Sequence, residues 1–279
     1  GRFRDDRGIT YKYKPTNHQN PSHRFALVTI ISGSYLLWGT LFLVSLIGLT
    51  ELYRAAGVQE KGFSLLALTG ALGVASYYLL LLFGFEAYSM MDMIFILIVL
   101  MAVYVFTYPK YHADQVMAAF FGVVYVSVML SYIYLTRSLE GGAFLVWLIF
   151  LCSWGCDTCA YCVGILIGKH KMAPVLSPKK SIEGAVGGVV GAALLGLIYA
   201  LAAGKFFPEF DHSPAVYALI CAVGALISMV GDLAASGIKR NHNIKDYGKL
   251  IPGHGGILDR FDSVIFTAPV IYFLAIALL

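Results

Sequence analysis

The sequence predicts an all-α fold, a polytopic membrane helix bundle of about eight transmembrane helices, or nine if the first apolar run is a hairpin. Three observations carry this expectation. The chain of 279 residues is 59% hydrophobic and 13% charged, whereas soluble domains carry about a quarter charged residues. Its mean hydropathy is +0.76. Its apolar residues fall into continuous runs near the ~20 residues a helix needs to cross the hydrocarbon core, without the alternation of barrel strands.

Polar punctuation places the runs at 25–50, 63–84, 90–108, 115–136, 143–168, 183–204, 215–238 and 263–279. The first has Gly33 and Ser34 near its middle, where a hairpin would turn. The last is short, at 17 residues. Residues 1–24 form a polar tail, expected to be poorly ordered and without the apolar core of a signal peptide. Gly1 in place of Met suggests a fragment or a processed product. Residues 25–279 are expected to form a single transmembrane catalytic domain with polar loops at 169–182 and 239–262.

Charge sets the topology. With eight crossings, the loops on the side of residues 51–62 hold 12 of the 20 Lys and Arg residues, and the opposite loops hold only Arg137 and Lys205. The positive-inside rule therefore puts the 169–182 and 239–262 loops in the cytoplasm. The tail conflicts with this, because its six basic residues would lie outside. Either the tail escapes the rule, or the first run is a helical hairpin, a re-entrant piece or a shortened helix. The expected location is a bacterial inner membrane with the active site facing the cytoplasm.

The segment 236–262 reads SGIKRNHNIKDYGKLIPGHGGILDRFD. Its cations Lys239, Arg240, Lys245, Lys249 and Arg260 suit phosphate charge. Gly253, His254, Gly255 and Gly256 form a loop whose amides can cradle phosphate oxygens. Asp246, Asp259 and Asp262 beside those cations are what a Mg²⁺ site needs, since the ion takes one or two carboxylates plus substrate phosphates. A loop that only set topology would need the lysines but neither the glycines nor the acids.

Asp232 lies seven residues before Lys239, hence about 10 Å below the loop. A carboxylate in a membrane helix costs about 2.5–3.5 kcal/mol on insertion scales, so function is its default reading. Asp232 and Asp259 are expected to meet around a metal. Asp157 is a second intramembrane acid, for a second cation or a basic partner. Ser177, Lys179, Lys180 and Ser181 precede the 183–204 run. Ser181 is the expected N-cap there, and the two lysines suit a triphosphate or a lipid phosphate at a helix N-terminus. Cys156, Cys159 and Cys162 have cluster-like spacing, but on an apolar helix they read as small hydrophobes.

Segment 236–262 resembles the signature of the phosphatidate cytidylyltransferase (CDP-diacylglycerol synthase) family, matching at Ser236, Lys239, Arg240, Lys245, Asp246, Gly248, Pro252, His254, Gly255, Gly256, Asp259, Arg260 and Asp262. SPKKSIEG at 177–184, Asp157 after Trp154, and Glu51-Leu52-Tyr53-Arg54 also resemble it. The front departs from the family, because the stretch before Glu51 is too short for two crossings. The resemblance implies transfer of CMP from CTP to phosphatidate with release of pyrophosphate. It also implies Mg²⁺, with K⁺ as a companion ion, Asp232 and Asp259 as metal ligands, contact with membrane lipid, and a homodimer. No nucleic-acid partner is expected. Two rival readings are a CTP-dependent lipid-alcohol kinase and a transporter. A transporter would show a repeat, and none is evident.

Overall fold

The computed structural model describes the backbone of residues 2–4, 10–12, 21–59, 62–203, 213–248 and 255–279, with side chains at 35–59, 62–202, 213–248 and 255–279. The chain divides into two units, Gly1–Leu36 and Leu37–Leu279. In the first, strands β1 (Arg2–Arg4) and β2 (Thr10–Lys12) pair antiparallel. The first run forms one helix, α1 (Pro21–Ala55), rather than a hairpin.

Among the described residues, eight helical stretches are long and apolar enough to cross a membrane, so the polytopic bundle expected from hydropathy is what the chain forms. After α1 come α2 (Leu65–Leu82) and α3 (Ser89–Phe106). The fourth crossing is α4 (Ala113–Gly122) joined to α5 (Met129–Ser138) through a π-helical stretch, Val123–Val128. The fifth is α6 (Gly142–Phe150) joined to α7 (Cys156–Ile167) through a second, Leu151–Gly155. The 169–182 loop contains a hairpin of β3 (Lys171–Ala173) and β4 (Ser177–Ser181). It leads into α8 (Ile182–Ala203), followed by α9 (Pro214–Asn241) and α10 (Leu258–Leu278).

Local chemistry explains the boundaries. Ser64 caps α2 by accepting from the Ala67 amide at 3.3 Å. Ser213 and Pro214 open α9. Asn243, with φ 55°, ends it, since asparagine tolerates the left-handed conformation. The last run gains a turn over the sequence expectation because α10 starts at Leu258. The helix absorbs Asp259 and Asp262, whose charges hid it from a hydropathy reading.

Buried polar contacts tie the helices where the surroundings offer no water. Tyr53 donates to the Ala119 carbonyl at 2.7 Å. Tyr78 and Ser45 meet at 2.7 Å, and Tyr77 and Ser131 at 3.0 Å. Helix α8 packs on both α7 and α9. Small residues make that approach possible. A Cβ on Gly191 would lie 2.5 Å from Cys159 Sγ, and one on Gly188 would lie 2.9 Å from Cys156 Sγ. Cys156 and Cys159 are therefore knobs against glycine, which fits their reading as small hydrophobes, while Cys162 is exposed. Gly191→Ala is expected to destabilise the protein by about 1–3 kcal/mol through overpacking. Adding Cys159→Ala should recover much of that loss in a thermal melt, and additive losses would refute the contact.

Candidate active site

The C-terminal ends of α1 and α9 meet the N-terminal ends of α8 and α10 at one end of the bundle, with the β3–β4 hairpin beside them. The predicted residues collect there in two linked groups.

The first group lines a cavity of about 540 Å³ that includes Asp157, Lys179, Lys180, Ser181 and Asp232. Strand geometry sends neighbouring side chains to opposite faces. Lys180 accordingly turns inward and forms an ion pair with Asp232, while Lys179 is exposed. Both members of the pair are only about a quarter exposed, at 25% and 24% of their side-chain surface. Ser181 accepts from the Gly184 amide at 3.1 Å, so it is the cap expected for α8. Asp157 lies just past the second π-helical stretch and is 3.5 Å from the Ser263 hydroxyl. The charge of Asp232 acts on both Asp157 and Asp262. Asp262 itself accepts from the Ser263 amide at 2.8 Å.

The second group is centred on Asp259. Its Oδ1 accepts from Lys239 Nζ at 2.8 Å, and its Oδ2 accepts from the amides of Tyr247 at 2.8 Å and Gly256 at 3.0 Å. The Asp259 side chain is 5% exposed and that of Lys239 13%. Asp259 therefore folds the α9–α10 connection back on itself. Gly255 is needed there: its φ is +88°, and a Cβ would lie 3.0 Å from Asp259 Oδ2. The Gly256 amide, expected to face phosphate, is taken by Asp259.

Arg240, Lys245, Asp246 and Arg260 are exposed. Ser177 pairs with Ala173 in the hairpin and does not line the cavity. Lys249, Gly253 and His254 lie outside the described residues.

Several residues escaped the sequence reading. Tyr247 donates its hydroxyl to the Ala235 carbonyl at 3.2 Å and lies under Lys239 Nζ, 5.3 Å from the ring centroid. Burial pushes its phenol up, so it stays neutral. Tyr125, on the first π-helical stretch, is buried with Asp262 and Asp232 as its charged neighbours. π-Helical turns are rare and frequent at functional sites, yet nothing in residue type announces them. Glu51, named in the sequence only within the 51–54 resemblance and not as a site residue, accepts from the amides of Ile257 and Leu258. Its signal was a carboxylate at the end of an apolar run.

Asp232 pairs with Lys180 and Asp259 with Lys239, while Asp157 and Asp262 lie near Asp232, so the acids available to a cation are divided between the two groups. Among the described residues no three His, Cys, Asp or Glu side chains are already set as a ligand group. Substrate phosphates would have to complete the coordination, as is usual for Mg²⁺.

The model of the Cytidylyltransferase family matches residues 23–278. Over 154 residues the chain is 40% identical to a phosphatidate cytidylyltransferase of Staphylococcus haemolyticus, covering 55% of this chain and 56% of that protein. The corresponding proteins of Staphylococcus epidermidis and Staphylococcus aureus are 42% and 40% identical over the same length, with the same coverage. The aligned stretch thus spans a little over half the length of these curated relatives.

Proposed function

The chain belongs to the Cytidylyltransferase family, and from that premise we propose that it transfers CMP from CTP to phosphatidate, giving CDP-diacylglycerol and pyrophosphate. The observation that carries this reading is the cavity where Lys179, Lys180 and Ser181 face Asp157 and Asp232. It joins anion-binding and cation-binding groups within reach of the membrane.

In this reading an oxygen of the lipid phosphate attacks the α-phosphorus of CTP in line. The bond from that phosphorus to the bridging oxygen breaks, and pyrophosphate leaves. The main obstacle is repulsion between two polyanions. Lys179 and Lys180 supply positive charge beside the α8 N-terminus, which itself favours an anion. Lys239 does the same from α9, with Arg240, Lys245, Lys249 and Arg260 adding to the field. Asp232, Asp157 and Oδ1 of Asp259 would hold Mg²⁺, which would neutralise charge on the transferring phosphoryl group. Lys180 and Lys239, freed from those acids, would then face the phosphates. Asp262 and Asp246 would orient neighbouring groups, and Gly253 and His254 would contact phosphate, whereas Gly255 and Gly256 are held against Asp259. Phosphate is already ionised, so no base is required. K⁺ as a second ion, a homodimer, and a site facing the cytoplasm of a bacterial inner membrane belong to the same proposal.

Purified protein incubated with labelled CTP, Mg²⁺ and phosphatidate should move label into the organic phase and release pyrophosphate. Release of CDP instead would favour the kinase reading. Chelation with EDTA should abolish transfer, and added Mg²⁺ should restore it. Full activity in EDTA would remove the metal from the scheme.

A further inference from the structure

We propose that Tyr125 is a positioning residue for cation binding, its hydroxyl donating to Asp262 and holding that carboxylate beside Asp232, a role that rests on the cation-dependent transfer proposed above. A buried hydroxyl without a partner gives up its hydrogen bonds to water and gains none in return, so membrane helices satisfy theirs internally. Buried tyrosines here do so across helices: Tyr53 donates to the Ala119 carbonyl, and Tyr77 meets Ser131. Buried serines and threonines do so on their own helix, as Thr136 does with the Tyr132 carbonyl and Ser153 with that of Ile149. Among the described residues, the hydroxyls of Tyr125, Ser127, Tyr217 and Ser228 and Oδ2 of Asp92 are buried with no partner. Each such exception in a folded protein calls for a reason.

Two of these groups stand at the acids. Tyr125 is 3% exposed and lies on the π-helical stretch Val123–Val128. Its ring meets Phe266 edge-on, with centroids 6.0 Å apart. Phe266 is one turn past Asp262 on α10 and packs on Gly231, the neighbour of Asp232. A Cβ on Gly231 would lie 3.0 Å from both Phe266 and the Asp262 carbonyl. The phenol therefore sits at the seam of α9 and α10, with Asp262 and Asp232 as its charged neighbours. Ser228, also buried, is one turn before Asp232 on α9. Tyr217, by contrast, lies in the first turn of α9, the opposite end from Asp232. Asp232 is paired with Lys180 in this structure. With a cation in place of that ammonium, Asp262 would stand beside Asp232 with the Tyr125 hydroxyl as its donor. Carboxylates that serve a metal are themselves held by hydrogen bonds, and those outer partners tune its affinity.

Tyr125→Phe is the direct test, because it removes one oxygen and keeps the ring packing. With the unpaired hydroxyl gone, the Tm should stay at or above that of wild type. Binding of Mn²⁺ to the purified protein, followed by electron paramagnetic resonance, should weaken about tenfold or more. The Mg²⁺ concentration that gives half-maximal CMP transfer should rise by the same factor. Tyr217→Phe removes the unpaired hydroxyl at the far end of α9. It should leave Mn²⁺ binding and transfer within about twofold of wild type, because distant sites act independently. Unchanged Mn²⁺ affinity in Y125F would overturn the proposal, whatever happens to its Tm. So would an equal loss in Y217F, which would mark a general effect on the bundle. A wild type that binds Mn²⁺ more tightly than Y125F but transfers no CMP would end the transfer reading and leave the positioning role standing. A wild type that transfers CMP but binds no Mn²⁺ would do the reverse.

Discussion

Asp232→Asn is expected to lower the turnover of CMP transfer at saturating CTP and Mg²⁺ by about 100-fold or more, with little change in Tm. The side chain is 24% exposed and pairs with the Lys180 ammonium. Asparagine keeps the shape and one acceptor but removes the charge. The cavity then loses the carboxylate closest in effect to both Asp157 and Asp262. Relief of repulsion between those acids should offset the loss of the ion pair, so stability should hold. Turnover within about threefold of wild type would remove Asp232 from the chemistry.

Asp259→Asn should be worse in a second way. It too should reduce turnover by about 100-fold or more, but it should also unfold the protein more easily. Asp259 and Lys239 are nearly buried together, and breaking such a pair costs about 3–5 kcal/mol because one charge is left without its partner. The asparagine NH₂ would also oppose either Lys239 or the amides of Tyr247 and Gly256, which are all donors. Thermal melts and activity measured on the same preparations separate the two aspartates. A D259N protein as stable as wild type would show that the clamp around the α9–α10 connection contributes little.

The bundle was legible because crossing a bilayer demands long apolar runs, and a run is a property of neighbours in sequence. Each expected run has its helix, shifted by a few residues where a charge begins or ends it, as at Asp259. The polar loops with their lysines and acids were legible for the complementary reason, since polar groups on an apolar background cost too much to be incidental. Ser181 could be read as a cap because capping is decided within one turn.

Pairing was a different matter. Residue types nominated Asp157, Asp232, Asp259 and Asp262, but not which lysine each would face. The hairpin turns Lys180 toward Asp232, and the fold of the α9–α10 connection brings Lys239 to Asp259. Tyr125 lies on one π-helical stretch, Val123–Val128, and Asp157 just past the other, Leu151–Gly155. Glu51 finds its amides across the bundle. Hydrophobic length and local capping are summed along the chain, so sequence alone determined the helices and nominated the polar residues. Hydrogen bonds and ion pairs depend on distances of about 3 Å between segments far apart in sequence, and only tertiary packing decides those.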